Sequence, residues 1–142
     1  MLVDAPLLLF ARDTRSPFHS AARRWLTDRL NGPVRVGLPW QSLVAFVRIS
    51  THPRAYERPL GPDVAWRQVR AWLDAEPAWV PSPTTRHGQV LGQLITAHHL
   101  RGNLVSDAHI ATLAIEHGLE LCSADSDFAR FPEVRWRNPV LG

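Results

Sequence analysis

The stretch Ser106–Phe131, SDAHIATLAIEHGLELCSADSDFARF, predicts a helix, a short buried strand and an acidic turn in succession. Its first half has apolar residues at helical spacing. Ser106 suits the N-cap, Asp107 suits the first turn, where the helix dipole favours a carboxylate, and Gly118 provides a stop. The apolar run LELC then predicts a strand. A helix that leads directly into a buried strand is typical of an α/β fold.

The rest of the chain repeats this alternation of short strands and helices. Leu2–Val3 predicts a first strand that ends at Asp4, and VRVGLP, AWVPSP and VRWRNPV are further strand candidates. Helical segments separate them, one with Ser16 as its N-cap and another that opens at Pro62. We therefore predict an α/β fold with a mainly parallel central sheet, formed by residues 1–142 as a single domain.

The composition excludes several classes of protein. With 45% hydrophobic and 20% charged residues, the chain fits a folded globular protein rather than a disordered one. No apolar run approaches the ~20 residues of a membrane span, and the N-terminus lacks the basic segment of a signal peptide. The single Cys122 excludes an intrachain disulfide framework and a zinc site built from cysteines. We expect a cytoplasmic protein with no membrane partner.

The basic residues are all arginine, 16 in number, and they give a net charge of +3. Arginine matches phosphate oxygens with two parallel hydrogen bonds and stacks on bases, which suits an RNA-binding surface. A GC-rich genome produces the same arginine usage. Arg12, Arg15 and Arg48 follow elements that should end near the predicted site, so they are candidates to hold phosphates or simply solvated surface residues.

Three carboxylates from distant parts of the sequence are predicted to meet at one edge of the sheet. Asp4 ends the first strand, Asp125 follows the strand LELC, and Asp107 lies at a helix start. Sites in open parallel sheets form at the carboxyl ends of the strands. Such oxygen ligands suit Mg²⁺ or Mn²⁺, and a divalent ion on carboxylates is the usual device for hydrolysing phosphodiesters.

Each of these aspartates also has a purely structural interpretation. Asp107 can serve the helix dipole, and Asp125 can cap the turn SDFARF. Asp4 is harder to explain in this way, because a carboxylate between two apolar segments is costly to bury unless it is paired or metal-bound. From the residues alone, the metal cluster and the structural interpretation both stay open.

Four segments together resemble the PIN-domain ribonucleases of the VapC toxin type: LVDAPLLLF, PWQSLVAFVRISTHPRAY, RGNLVSDAHIATLAIEHG and LCSADSDFARFPEVRWRNPV. They stand in the family's order and spacing over nearly the whole chain. The resemblance implies a PIN-like three-layer α/β/α sandwich and an endoribonuclease that uses Mg²⁺, with Mn²⁺ as the alternative ion. It also implies the toxin of a type II toxin–antitoxin system, which cleaves structured RNA such as tRNA or rRNA. Its implied protein partners are a VapB-type antitoxin and a second copy in a homodimer.

The resemblance assigns roles to individual residues. The family's catalytic and metal-binding acids fall on Asp4, Asp107 and Asp125. Asp127 matches a further acidic position that often supports the metal site. Ser123 occupies a hydroxyl position that typically steadies the first aspartate.

Two positions depart from the family pattern. The usual asparagine near the first strand is Pro6, and the usual glutamate of the helix after the second strand is Ala45. Gln41, one turn earlier, is a neutral substitute at best. Glu116 does not replace the missing acid, because nine residues after Asp107 it faces the other side of that helix, where we expect a surface role. A catalytically weak or inactive PIN domain that acts by binding RNA or antitoxin therefore remains an alternative.

A third alternative is a receiver-type signalling domain, which also places an acidic pocket at strand ends. Such a domain needs a lysine late in the chain, and this sequence has no lysine at all. We interpret the remaining reactive side chains as structural. His98 and His99 are predicted on the surface or at an interface, His109 in packing, the tryptophans in core or dimer contacts, and Cys122 in the core.

Overall fold

The computed structural model describes residues 1–141 and contains five short strands and six helices. The strands are β1 (Leu2–Val3), β2 (Val36–Gly37), β3 (Ala78–Trp79), β4 (Leu121–Cys122) and β5 (Trp136–Arg137). The helices are α1 (Ala5–Arg12), α2 (His19–Leu30), α3 (Trp40–Ser50), α4 (Pro62–Leu73), α5 (His87–His98) and α6 (Asn103–Glu116), with a 3₁₀ turn at Ser126–Arg130. None of the helices in the described part is long and apolar enough to cross a membrane.

The strands form one parallel sheet in the order β3-β2-β1-β4-β5. The first strand of the chain is the central one: Leu2 pairs with Gly37 on one side and with Leu121 on the other. The predicted parallel α/β sheet is therefore confirmed. Because all five strands run the same way, their carboxyl ends share one edge, and Asp4 lies at the middle of that edge.

The core lies in two layers, one on each face of the sheet. Successive residues of a strand point to opposite faces. Leu2 and Leu121 therefore pack against α5 and α6, whereas Val3 and Cys122 pack against α1 to α4. Both layers are built from fully buried aliphatic and aromatic side chains. Helices on both faces of a central sheet make the three-layer sandwich, and Cys122 is a core residue as predicted.

Two predicted helix starts are wrong. Helix α6 begins at Asn103 with Gly102 as its N-cap, so Ser106 is no cap, and Asp107 lies in the second turn. Gly102 has φ 59°, which glycine adopts without strain. Because Leu104 packs against the core, the helix starts one turn earlier than predicted. Ser16 also lies outside its helix, where its hydroxyl accepts a hydrogen bond from a turn amide.

The tryptophans divide into two groups. Four are buried or half-buried, which fits the predicted packing. Trp40 and Trp66 are each 47% exposed and stack on one another with ring centroids 6.3 Å apart.

Candidate active site

The site begins at the carboxyl end of β1, where Asp4 connects this strand to α1. The Asp4 carboxylate is the N-cap of this helix and accepts a hydrogen bond from the Ala5 amide at 2.9 Å. Pro6 lies in the first helical turn, where its missing N–H leaves no bond unmade. The backbone N–H of Asp4 also bonds to Cys122 of β4, which fixes the carboxylate at the centre of the sheet edge.

Ser123 links Asp4, at the end of β1, to Asp125, which follows β4. Its hydroxyl donates to Oδ2 of Asp4 at 2.7 Å and accepts from the Asp125 amide at 3.0 Å. The residue is completely buried. The indole N–H of Trp136 donates to the Ser123 carbonyl at 3.0 Å and so braces it from β5. A residue 119 positions from Asp4 in the chain thus holds that aspartate in place.

Asp107, Asp125 and Asp127 come together at this edge. Each offers one carboxylate oxygen, and the three oxygens lie within 4.8 Å of one another. Asp125 also has a local structural role. Its Oδ1 accepts a hydrogen bond from the Asp127 amide at 2.9 Å and so caps the 3₁₀ turn. The capping interpretation and the cluster interpretation of Asp125 are therefore compatible.

The pKa values of Asp107 and Asp4 are raised above the ordinary value of an aspartate. Burial raises the pKa of Asp107 to about 6, helped by the charges of Asp125, Asp4 and Asp127 and opposed by Arg130. Burial also raises the pKa of Asp4, although the hydrogen bonds from Ser123 and Ala5 oppose it. Holding ionised carboxylates this close together costs free energy, and a bound cation would lower that cost by offsetting their negative charge.

The donor set fits a hard divalent cation. It consists of carboxylate oxygens, with no histidine or cysteine in the cluster of Asp107, Asp125 and Asp127. Asp4 lies outside this group of three, and its two oxygens already accept hydrogen bonds from Ala5 and Ser123. The four predicted acids are thus neighbours, with three directed at one point and Asp4 anchored behind them.

Helix α3 closes the site from the side where the family glutamate is missing. The Gln41 amide donates to the Ser106 carbonyl at 3.1 Å, directly beside Asp107. Ser42, which is 1% exposed, donates to the Val3 carbonyl at 2.8 Å and fixes the helix start to the end of β1. Ala45 follows one turn later and carries no ligand atom. Sequence reasoning missed Ser42, although a small polar residue in an otherwise apolar helix stripe is a signal for such an anchor.

The surface role predicted for Glu116 is wrong. Its side chain has no exposed area, and its carboxylate accepts hydrogen bonds from the Thr84 amide and from Nδ1 of His87. The other ring nitrogen of His87 lies 3.0 Å from Nδ1 of His109. Glu116 faces away from Asp107, as its position on the helix predicts, but a second polar network pinning α5 to α6 buries it.

The chain is similar to known proteins over nearly its whole length. The PIN domain family matches residues 1–134. Ribonuclease VapC37 of Mycobacterium tuberculosis is 45% identical over 138 residues, which cover 97% of this chain and 96% of that protein. The chain belongs to the VapC ribonucleases of the PIN-domain family. Ribonuclease VapC43 of the same species is 35% identical over 142 residues, which cover 100% of this VapC chain and 97% of that protein.

Solved structures show the same fold at lower identity. VapBC2 from Rickettsia felis, bound to a DNA fragment from its promoter, matches with a TM-score of 0.66 and 15% identity over 96% of both chains. A toxin–antitoxin complex from Klebsiella pneumoniae matches with a TM-score of 0.64 and 17% identity, covering 97% of this VapC chain and 96% of the other. The PIN-like three-layer architecture and the VapC family predicted from sequence are both confirmed.

Proposed function

We propose that this VapC chain is a metal-dependent endoribonuclease and the toxin of a type II toxin–antitoxin system. The observation that carries the proposal is the convergence of Asp107, Asp125 and Asp127, backed by Asp4, at the carboxyl edge of the sheet. Structured RNA such as tRNA or rRNA is the proposed substrate class. An activity on cellular RNA also means that the proposed place of action is the cytoplasm.

Four aspartates are the proposed working residues. Asp107, Asp125 and Asp127 would hold Mg²⁺, or Mn²⁺, through one oxygen each. When bound there, the ion supplies a polarised water for attack on the phosphodiester and neutralises the charge that develops on it. Asp4 is positioned by Ser123 and would add negative charge next to the ion, which favours binding of the cation.

A second candidate function rests on Ala45. Without a carboxylate from α3, the site offers fewer charged ligands than the family pattern, which should weaken the binding of an ion, above all of a second one. This favours a VapC domain with weak or no cleavage that acts by binding RNA or its antitoxin. Three converging carboxylates still suffice for one octahedral ion completed by water, so cleavage remains the first proposal.

The proposed protein partners are a VapB-type antitoxin and a second copy of the chain. The antitoxin is proposed because the R. felis and K. pneumoniae neighbours are toxin–antitoxin assemblies. The homodimer is proposed from the family resemblance. Size-exclusion chromatography with light scattering, on the chain alone and with a candidate antitoxin, measures both.

The test is RNA cleavage with Mg²⁺ or Mn²⁺ by the wild type and by the variants Asp4→Asn and Asp107→Asn. Both variants should lose at least about 100-fold in rate, since each removes a charge next to the reacting phosphate. Asp63→Asn is the matched control, because Asp63 is an exposed acid on α4 and should leave the rate unchanged. Cleavage that survives both site substitutions would overturn the proposal, and RNA binding without cleavage would favour the second candidate.

A further inference from the structure

A cavity of about 550 Å³ lies at the opposite end of α1 from the acids. It is open to solvent on one side and is lined by the last turns of α1 and α3, the start of α2, the loop before α4, and Gln68 of α4. Its volume is within the range of pockets that bind small organic molecules. The proposed catalytic site makes no use of it.

The rim of this cavity is strongly basic. Arg12, Arg15, Arg23 and Arg58 line it, against the single acid Asp13. The four arginines outnumber the one lining acid, and even after Glu57 offsets Arg15 through its ion pair the opening keeps an excess of positive charge.

Most of that charge is free to meet a ligand. Within residues 1–141, Arg12, Arg23 and Arg58 have no carboxylate within 4.0 Å; Arg12 bonds only to the neutral Gln68, at 3.2 Å. Arg15 forms an ion pair with Glu57 at 3.5 Å, and both side chains are largely exposed. Unpaired guanidinium groups around an opening are suited to bind phosphate oxygens.

The interior of the cavity combines apolar surface with hydrogen-bonding groups. Leu60 contributes apolar surface, and Tyr56 contributes an aromatic ring with a hydroxyl; both side chains are half-buried, whereas Phe46 beside the cavity is fully buried. Ser50, which is 5% exposed, lines the same cavity, and its buried hydroxyl has no hydrogen-bond partner among residues 1–141. A buried hydroxyl left unpaired is costly, so it is a place where a polar atom of a ligand would be stabilising.

We propose that this cavity binds one nucleotide, with the base against Tyr56 and Leu60, its polar edge toward Ser50, and the phosphate on the arginine rim. A flat heterocycle that carries polar edge atoms and a phosphate is the chemistry that matches both halves of the cavity. The nucleotide can be free or part of an RNA chain. The eight-residue α1 separates the cavity from Asp4 by about 12 Å, which corresponds to roughly three to four stacked nucleotides.

Where the nucleotide belongs to RNA, the inference rests on the proposed ribonuclease function and adds a second anchoring point for the substrate. The test therefore measures binding in EDTA, without cleavage. Fluorescence anisotropy with labelled single-stranded RNA and calorimetry with AMP, GMP, CMP and UMP are applied to the full chain. The variants are Ser50→Ala and the pair Arg23→Gln with Arg58→Gln. The control is Arg101→Gln with Arg135→Gln, which removes equal charge outside the cavity.

We expect the cavity arginine pair to weaken RNA binding about tenfold or more and the control pair less than about threefold. Ser50→Ala should weaken binding without lowering the unfolding midpoint, which separates a ligand contact from a structural role. If mononucleotides bind and the cavity variants lose them, free nucleotides are a source. If only RNA binds, the nucleotide comes from the substrate chain.

Equal RNA and nucleotide affinities in the cavity and control pairs would overturn the proposal. So would variants that keep both affinities and lose only the binding of a protein partner, because the cavity would then be a protein-docking surface. A chain that binds RNA through the cavity but cleaves none would refute the proposed ribonuclease function and leave the nucleotide site standing.

Discussion

The structure disfavours the ionised form of Asp107. Burial and three neighbouring aspartates raise its pKa from an ordinary value of 3.8 to about 6. The folded chain therefore binds a proton at Asp107 more readily than the unfolded chain does. The metal-free protein loses stability as the pH rises from about 4 to about 6, and it remains less stable above that window.

Asp107→Asn should therefore stabilise the metal-free protein at neutral pH. We expect the free energy of unfolding in EDTA at pH 7.5 to rise by about 1–2 kcal/mol, since the full shift of two pKa units is reduced by solvent at this half-buried side chain. Below about pH 4 the gain should vanish. Urea unfolding at both pH values measures it, with Asp63→Asn as the neutral control. A gain of equal size at both pH values would contradict this account.

Ala45→Glu should restore a ligand to the cation site. Ala45 lies one turn after Gln41, which already contacts the backbone beside Asp107, so a glutamate there can extend to the cluster. We expect affinity for Mn²⁺ to rise about tenfold, measured by calorimetry, with Ala45→Gln as the isosteric neutral control. Equal affinities in the two variants would place this position out of reach of the ion.

At the residue scale, the sequence predicts the acids of the site better than their supports. Asp4, Asp107 and Asp125 can be proposed because each follows or starts a predicted element at the carboxyl edge. Trp136 could not, because its function is a hydrogen bond to a backbone carbonyl on a neighbouring segment of the sheet edge. Ser42 gives only the signal of a small polar residue in an apolar stripe, and its partner, the Val3 carbonyl, lies 39 positions away. The burial of Glu116 depends on where α5 packs against α6. The residues of α6 alone do not determine that position.

At the scale of elements, the pairing of α5 with α6 depends on a buried charge. Burial alone would raise the pKa of Glu116, but hydrogen bonds from Thr84 and His87 outweigh it and hold the pKa below its usual range. The stabilisation is therefore present above about pH 4.5 and is lost as the pH falls through the lowered pKa. Removing this charge weakens both hydrogen bonds, because the neutral side chain keeps a single carbonyl oxygen for the two donors.

Glu116→Gln should destabilise the protein by about 2–3 kcal/mol at neutral pH, because it weakens two charge-assisted hydrogen bonds in a buried place. The penalty should shrink toward pH 3. Glu133→Gln is the matched control: it removes a carboxylate bonded to His98, but on the surface, and should cost less than about 1 kcal/mol. Equal penalties in both variants would show that burial does not matter here.

Helix starts are the part of the elements that the sequence predicts least well. Ser106 and Ser16 are both good N-cap residues, yet the structure uses neither. Helix α6 starts one turn earlier because Leu104 gains burial and Gly102 accepts a positive φ. Tertiary packing thus overrides a local capping preference that is worth only about 1 kcal/mol.

At the scale of the whole molecule, metal binding should raise the stability of the fold. An ion that binds only the folded chain adds about 2.7 kcal/mol at roughly 100 times its Kd. That corresponds to a rise of roughly 10 °C in Tm for a domain of this size. Differential scanning fluorimetry with Mg²⁺ and Mn²⁺ measures the rise.

Asp125→Asn should abolish most of this rise in Tm, and Asp63→Asn should not. An equal response to the ions in wild type and Asp125→Asn would mean that the ions bind elsewhere. This readout needs no RNA substrate and therefore also detects a site in a protein that does not cleave.

The overall architecture was accessible from sequence because strands and helices alternate along the whole chain. Such alternation requires crossover connections and hence a parallel sheet. The position of β1 at the centre of the sheet is a tertiary property. It is defined by pairing with β2 on one side and β4 on the other, two strands that come from distant parts of the chain.

The bond between Ser123 and Asp4 has a consequence for the time course of synthesis. A ribosome delivers Asp4 first, but β4, which positions that carboxylate, and the aspartates after it emerge only near the end of translation. Every nascent chain shorter than about 125 residues therefore lacks the assembled acids. Under the proposed toxin function, only completed chains are active, so an inhibitor has to be present when a chain leaves the ribosome and not before.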